Sequence, residues 1–276
     1  MAAPITFSVP TDTSQFTALQ LQPRAVLSLA WNGYARWLRE NAIPLPRLIG
    51  ERGFGTVIVG SRLDYLEPLS FFEADELEIR VRLSNWEDRI IVLNAEVSGA
   101  GRRVAEISVS LYPVDVQEST SLAAEASSIP PDVAAYLVSH EDDTSGADVP
   151  SLDHSEYLRR LGEHGTQLVT IREIRTVLHH HCEVAEQWSF IELPGLVQSV
   201  REPLALDQHE SWPELRMSLS MPLVSYSAEL NRPIYVFDQF FIETIAHSFE
   251  GHLVFTHRLT SDMYADGKVA TVVERF

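Results

Sequence analysis

The amino-acid sequence predicts an α+β fold of two successive units, each with one helix wrapped by an antiparallel β-sheet. Two regions of the chain are dense in helix and strand patterns, and a polar stretch rich in Ser, Asp, Gly and Pro separates them. The two dense regions also resemble each other. We therefore expect a first unit over residues 1–137, a linker over 138–165 and a second unit over 166–276.

The resemblance between the two regions keeps a nearly constant spacing along the chain. Aligning the two helix segments places Gly33 on Gly195, 162 residues later, and aligning the strands that follow places Pro68 on Pro233, 165 residues later. Two further strand pairs align in the same order. Four matches in one order and at nearly one spacing indicate an internal repeat.

The first unit contains a helix over residues 32–41, where Tyr34, Trp37 and Leu38 fall at helical spacing and the prolines of 44–47 end it. Four segments with alternating apolar residues and many β-branched side chains follow, which is typical of antiparallel strands. A Gly-Ala-Gly sequence between the last two predicts a tight turn. These strands are predicted over residues 55–69, 75–85, 89–98 and 102–114.

The second unit repeats this order. A strand predicted up to residue 182 precedes a helix that starts within 192–196, where Pro194 suits the first helical turn and Gly195 allows close approach to the backbone. Strands are then predicted over residues 215–230, 240–248, 252–259 and 268–276.

Composition and charge restrict the partners. With 39 acidic and 21 basic side chains the formal net charge is −18, which disfavours nucleic acid and anionic membranes as partners because both are bound through Lys and Arg. Cys182 is the only cysteine, so no intramolecular disulfide forms. The sequence has neither a secretory signal pattern nor an apolar run of about 18 residues. We expect a cytoplasmic location.

One stretch carries a family resemblance. In residues 61–84 a strand ends in Asp-Tyr, Pro68 follows three residues after Tyr65, and an Asp-Glu pair opens the next strand. Together with Tyr34 near the start of the helix, this pattern resembles the 4-hydroxybenzoyl-CoA thioesterase-like superfamily. The resemblance covers about residues 15–137, and the internal repeat extends it to the second half. It implies a tandem double hotdog fold.

The resemblance also implies a reaction. Members hydrolyse acyl thioesters without a cofactor, and here the substrate would be an acyl-CoA or acyl-carrier-protein thioester. In one subgroup of the family the catalytic carboxylate lies ten residues before the helix tyrosine. That position is Arg24 in the first unit, and an arginine is no base at neutral pH. In the second unit Leu196 takes the place of the tyrosine, and the position is Glu186.

We therefore expect Glu186 to act as general base or nucleophile on the thioester, with Glu183 and Glu192 as the alternative carboxylates and His181 orienting the carboxylate or the substrate. Backbone N–H groups around Leu193 and Gly195 would receive the thioester oxygen, because the N-terminus of a helix stabilises negative charge.

The substrate tunnel would be lined by aromatic side chains of the first unit. The resemblance and the helical spacing point to Tyr34, Trp37 and Tyr65 as substrate-binding residues. A fused pair of units is able to work alone or as a homo-oligomer of double hotdogs, and the sequence leaves both open.

The histidine run before Glu183 permits other interpretations. If the strand continues to Cys182, His179 and His181 share one face, and with Glu183 or Glu186 they resemble part of a zinc site. No second ligand cluster has recognisable spacing, so we expect no metal. Cys182 is interpreted as a structural residue.

Three alternative functions stay open on the same scaffold. They are a non-catalytic acyl-thioester-binding module, a dehydratase and an acyltransferase.

Overall fold

The computed structural model describes residues 4–86, 89–118, 123–139, 154–184 and 186–276. The chain divides into two compact units, Met1–Ser151 and Leu152–Phe276. The division falls within the segment that was expected to be the linker, of which residues 140–153 lie outside the described residues.

The first unit is a helix packed on an antiparallel sheet. Its five principal strands follow the order β1-β3-β4-β5-β2, while β6 pairs antiparallel with β5 and β7 pairs parallel with β3. The strands are β1 (Ile5–Pro10), β2 (Phe54–Tyr65), β3 (Glu76–Trp86), β4 (Ile90–Gly99), β5 (Arg102–Glu118), β6 (Ala123–Ala126) and β7 (Val138–Ser139). The helices are α1 (Pro23–Asn41), α2 (Leu45–Arg52) and α3 (Pro131–Ala134).

Helix α1 includes the predicted segment 32–41 and extends it back to Pro23. Proline suits the first helical position because its fixed φ is helical and its missing N–H would have no acceptor there. The apolar face of α1 is buried against the sheet, and Gly33 lets β3 approach so closely that a Cβ at this position would clash with Val81. The helix therefore occupies the loop position expected to hold a catalytic carboxylate in this unit.

The second unit has the same order of elements. Its strands follow the order β8-β10-β11-β12-β9, and all pairs are antiparallel. The strands are β8 (Thr166–Thr176), β9 (Ser225–Leu230), β10 (Gln239–Phe249), β11 (His252–Thr260) and β12 (Lys268–Arg275), and the helices are α4 (Ser155–His164), α5 (Leu193–Gln208) and α6 (Met217–Ser220). The two units therefore have the same strand order, and in each the long helix follows the first strand. This confirms the predicted fold class and the internal repeat.

Both faces of the second sheet are covered. Helix α5 buries Val197, Val200 and Leu204. Leu161 of α4 packs in one cluster with Val254 of β11 and Val273 of β12. No helix in the described ranges is long and apolar enough to cross a membrane.

The expected strand over residues 215–230 is wrong in its first half. Pro213–Arg216 form a 3₁₀ turn that leads into α6, and β9 begins only at Ser225. The tight turn after β4 is confirmed, since Ala100 and Gly101 have φ values of 52° and 76°, as a short hairpin connection requires.

The expected continuation of the first strand to Cys182 is also wrong. Strand β8 ends at Thr176, and His179–His181 form a 3₁₀ turn. A local hydrogen bond stabilises this turn, because the backbone N–H of Leu178 donates to Nδ1 of His181 at 3.2 Å. The division of the histidines between two strand faces therefore does not apply.

Candidate functional site

The second unit contains a cavity of about 440 Å³ at the N-terminal end of α5. The end of β8, the histidine turn, the first turns of α5 and one residue of β10 enclose it. This volume lies within the range of roughly 300–1,000 Å³ that is usual for small-molecule sites. Its apolar wall is formed by side chains that include Val177, Trp188, Leu196 and Phe240.

Aromatic contacts connect this wall to the histidine turn. Phe240 is almost fully buried and lies opposite Arg175 in the β8–β10 ladder, so that both side chains face the same side of the sheet. The ring of Trp188 lies 5.2 Å from that of Phe240 and 6.2 Å from the ring of His181. The strand pairing thus determines which side chains meet in the cavity.

The polar groups of the cavity include Arg175, His181, Glu192 and Ser199. Because Nδ1 of His181 accepts the Leu178 N–H, its proton resides on Nε2 in the neutral ring. Desolvation lowers the pKa of His181 below its ordinary value of 6.5 and the nearby His180 lowers it further, whereas Glu192 acts in the opposite direction. His181 is therefore neutral at pH 7 and is a hydrogen-bond donor through Nε2.

The first turn of α5 brings the positive end of a 16-residue helix to the cavity. Glu192 precedes the helix, and Pro194 has no N–H. Leu193 is buried, and its N–H donates to the carbonyl of Phe190. Gly195 is exposed and lines the cavity, so that it is the residue of this pair that a ligand reaches.

Glu183 and Glu186 lie on an exposed turn and do not line this cavity. The N–H of Glu186 donates to the carbonyl of Glu183 at 3.0 Å, and Glu186 has a φ of 55°. The carboxylate of Glu183 accepts a hydrogen bond from Nε2 of Gln187 at 2.9 Å. Desolvation raises the pKa of Glu183, and this hydrogen bond opposes the shift.

Of the three aromatic residues expected to bind substrate, Tyr34 and Trp37 are buried in the core of the first unit and Tyr65 is partly buried, and none of them lines the cavity. The hydroxyl of Tyr34 lies 3.3 Å from Oγ1 of Thr56, and burial raises the pKa of Tyr34 to about 12. Trp37 is 1% exposed. The hydroxyl of Tyr65 lies at the end of β2 and donates to the carbonyl of Leu21 at 2.6 Å.

Sequence reasoning ranked Glu192 behind Glu186 and missed Arg175 and Trp188. The signal for Arg175 was its alternation with Ile171 and Glu173 along β8, which places all three on the face that carries Phe240 of β10. In the described ranges no group of three or more His, Cys, Asp or Glu side chains is arranged to hold a metal ion.

Residues 19–137 match the family model of the thioesterase-like superfamily. A comparison with curated protein sequences finds no match.

Three solved structures share the fold over nearly their whole lengths. A Bacteroides thetaiotaomicron acyl-ACP thioesterase is 8% identical with a TM-score of 0.68, over 98% of this chain and 96% of its own. The 12:0-ACP thioesterase from Umbellularia californica is 11% identical with a TM-score of 0.69, over 99% and 93%. A Lactobacillus plantarum protein provisionally assigned as an oleoyl thioesterase is 11% identical with a TM-score of 0.71, over 99% and 95%.

At these identities the solved structures establish the fold, and the family match adds the sequence pattern of the first unit. Both agree with the resemblance predicted from residues 61–84. Residues 19–137 match the thioesterase-like superfamily model, and the whole chain has the fold of a tandem double hotdog.

Proposed function

We propose that this protein hydrolyses an acyl thioester in the cavity at the N-terminus of α5. The observation that carries the proposal is the meeting of a carboxylate, Glu192, and a neutral histidine, His181, at the positive end of a helix. The family match of the first unit supports the same reaction class. Acyl-CoA and acyl-carrier-protein thioesters are the proposed substrates, and two structural neighbours are described as acyl-ACP thioesterases.

In the proposed mechanism the carboxylate of Glu192 accepts a proton from water while the water oxygen attacks the thioester carbonyl carbon. The carbonyl oxygen gains negative charge, which the first turn of α5 and the Nε2–H of His181 stabilise. The C–S bond then breaks, and the leaving sulfur takes the proton from Glu192. The products are a carboxylic acid and a free thiol.

Glu186 is the alternative base, because the family spacing predicts it. Glu186 lies on the exposed turn and is not among the residues that line the cavity, whereas Glu192 lines it. Glu183 shares the turn with Glu186 and ranks with it. The first unit has no comparable carboxylate at its helix, where α1 begins with Pro23 and Arg24.

Thiol release from a panel of acyl-CoA and acyl-carrier-protein thioesters tests the proposal. We expect Glu192→Gln to lower kcat by about 10²–10⁴-fold, as is usual when a general base is removed. Glu183→Gln and Glu186→Gln, which make the same change on the neighbouring turn, should keep near wild-type rates.

The opposite pattern, with activity lost in Glu186→Gln and kept in Glu192→Gln, would assign the base to the position that the sequence spacing predicts. Binding of the thioesters without any thiol release contradicts hydrolysis and favours a binding module. Hydration of an enoyl thioester without thiol release would favour a dehydratase.

A further inference from the structure

Two buried N–H donors belong to side chains that line the cavity and have no hydrogen-bond partner. They are Nε of Arg175 and Nε1 of Trp188. A buried donor without an acceptor is unfavourable, so most such groups in folded proteins are satisfied. The Nε2–H of His181 is a third donor in the same wall. Three N–H groups in one cavity favour a ligand that is rich in acceptor oxygens.

Arg175 gives this set a positive charge. Its side chain is 36% exposed, and one terminal nitrogen is paired with Glu173 on the same face of β8. A guanidinium has five N–H donors, so this pairing leaves Nε and other donors for a ligand. Arg175 is the single Arg or Lys among the residues that line the cavity, all of which belong to the described part of the chain. In a chain of net charge −18, it is the feature that attracts an anion here.

We propose that the cavity binds a carboxylate on the acyl group of its substrate, with Arg175 as the specificity-determining residue and Trp188 as a second donor. The inference rests on the proposed thioester hydrolysis. An anion beside Arg175 shares a cavity of about 440 Å³ with Glu192 and the first turn of α5, where the carbonyl group reacts. In a pantetheine thioester the phosphate is separated from the sulfur by two amide units. The anion in the same cavity as the carbonyl therefore belongs to the acyl side, and the substrate class is the thioester of a short dicarboxylic acid.

Binding of the free acids tests this inference without turnover. Glutarate and pentanoate have the same number of carbons and share the carboxylate that hydrolysis would release, while glutarate alone has a second carboxylate. We expect calorimetry to show glutarate binding at least about tenfold more tightly than pentanoate, as one charge-assisted hydrogen bond provides. In Arg175→Met this ratio should fall to near one.

Arg172→Met is the matched control. It removes the same charge from the same strand, but Arg172 lies over the ring of Phe241 at 4.3 Å and does not line the cavity. Its glutarate preference should equal that of the wild type. Glu173→Gln removes the competing carboxylate beside Arg175 and should strengthen glutarate binding. Thermal melting of each variant checks that it is folded.

Equal binding of glutarate and pentanoate overturns the inference, as does a preference that survives Arg175→Met. Arg175-dependent binding of inorganic phosphate without a glutarate preference also overturns it, since the anion would then be a phosphate.

Thiol release from glutaryl and pentanoyl thioesters separates the two proposals. Hydrolysis of both at equal rates contradicts the carboxylate site and leaves the proposed function standing. Arg175-dependent glutarate binding without thiol release from any thioester contradicts the proposed function and leaves the anion site standing.

Discussion

His257 and Glu274 form a buried hydrogen-bonded pair in the second unit, with Nε2 of the histidine 3.1 Å from Oε2 of the glutamate. His257 has no exposed surface, and Glu274 is 2% exposed. Nδ1 of His257 lies 2.8 Å from Oγ1 of Thr244, and Nε of Arg201 on α5 lies 3.6 Å from the Glu274 carboxylate. A polar cluster therefore connects α5 to three strands inside an otherwise apolar core.

The first unit has no such cluster on the face of its sheet that meets α1, as far as the described residues show. Val81 of β3 packs under Gly33 of α1. Its ladder partner Ala95 and the next strand's Ile107 are apolar and buried on the same face. The two cores thus support the same fold by different means.

The first prediction concerns the pH dependence of stability. Burial lowers the pKa of His257 below its ordinary value of 6.5, although Glu274 opposes this. As the pH falls through 6.5, His257 therefore binds a proton in the unfolded chain but not in the folded chain, and the free energy of unfolding decreases. Burial alone would raise the pKa of Glu274, but Arg201 and His257 outweigh it and hold that pKa below 4.5. The contribution of Glu274 to the free energy of unfolding is therefore present above pH 4.5 and is lost at lower pH.

Urea unfolding at pH 7.5 and pH 5 measures this effect. We expect the second unit to be less stable at pH 5, and His257→Gln to reduce the difference because it removes one titrating group. His164→Gln, a change at an exposed histidine, serves as the control and should leave the difference unchanged. A wild-type stability that is the same at both pH values contradicts the prediction.

The second prediction concerns Arg201, which is 6% exposed and also lies over the ring of Phe276 at 4.6 Å. Arg201→Met removes one partner of a buried ion pair and leaves the Glu274 charge behind. Such changes typically cost about 3–5 kcal/mol. Chemical unfolding should show a loss of this size, and the double variant Arg201→Met/Glu274→Gln should recover much of it. Equal losses in the single and double variants would show that packing of the Arg201 side chain, rather than charge, stabilises α5.

The third prediction compares the two glycines that the internal repeat aligned. Gly33→Ala places a methyl group against Cγ2 of Val81, and overpacking of this kind costs about 1–3 kcal/mol. Gly33→Ala/Val81→Ala should recover part of the loss. At Gly195 a Cβ meets nothing within 4 Å, so Gly195→Ala should raise the free energy of unfolding by about 0.5–1 kcal/mol through helix propensity. A Gly33→Ala variant as stable as the wild type would show that the packing beneath Gly33 adapts, and a destabilised Gly195→Ala would contradict the second expectation.

The sequence predicted the strands and the repeat because alternation is a local property of the chain. Strands β3, β4, β10, β11 and β12 lie within one residue of their predicted bounds at both ends, and β5 begins where predicted but ends four residues later. The residue at which β8 ends could not be predicted from the local sequence pattern. Val177 continues the apolar pattern and its N–H donates to the carbonyl of Asp238, but at the next residue the Leu178 N–H donates to Nδ1 of His181 within the histidine turn.

The cavity shows the same limit. The sequence singled out His181 and Gly195, which line the cavity, because both lie close to the predicted helix start. Arg175 is assigned to it only by the pairing of β8 with β10, which sets it opposite Phe240. Family spacing selected Glu186 by counting back from a tyrosine position that holds Leu196 here. Glu192 enters the cavity because a 3₁₀ turn over Phe190–Glu192 leads directly into α5.

The last prediction concerns the single cysteine. Desolvation raises the pKa of the Cys182 thiol above 9, and the charges of Glu186 and Glu183 raise it further. Its Sγ also donates to the carbonyl of Leu178 at 3.5 Å. Because the thiolate is the reactive form, alkylation by iodoacetamide at pH 8 should be slower than that of free cysteine. Mass spectrometry over time measures the rate.

Removal of one nearby charge in Glu186→Gln should accelerate this alkylation, whereas Glu163→Gln, an exposed change on α4, should not. Cys182→Ser should keep full thioester hydrolysis, because Sγ takes no part in the proposed mechanism. Alkylation faster than that of free cysteine, together with loss of hydrolysis in Cys182→Ser, would identify Cys182 as a nucleophile and contradict the assignment of water activation to Glu192.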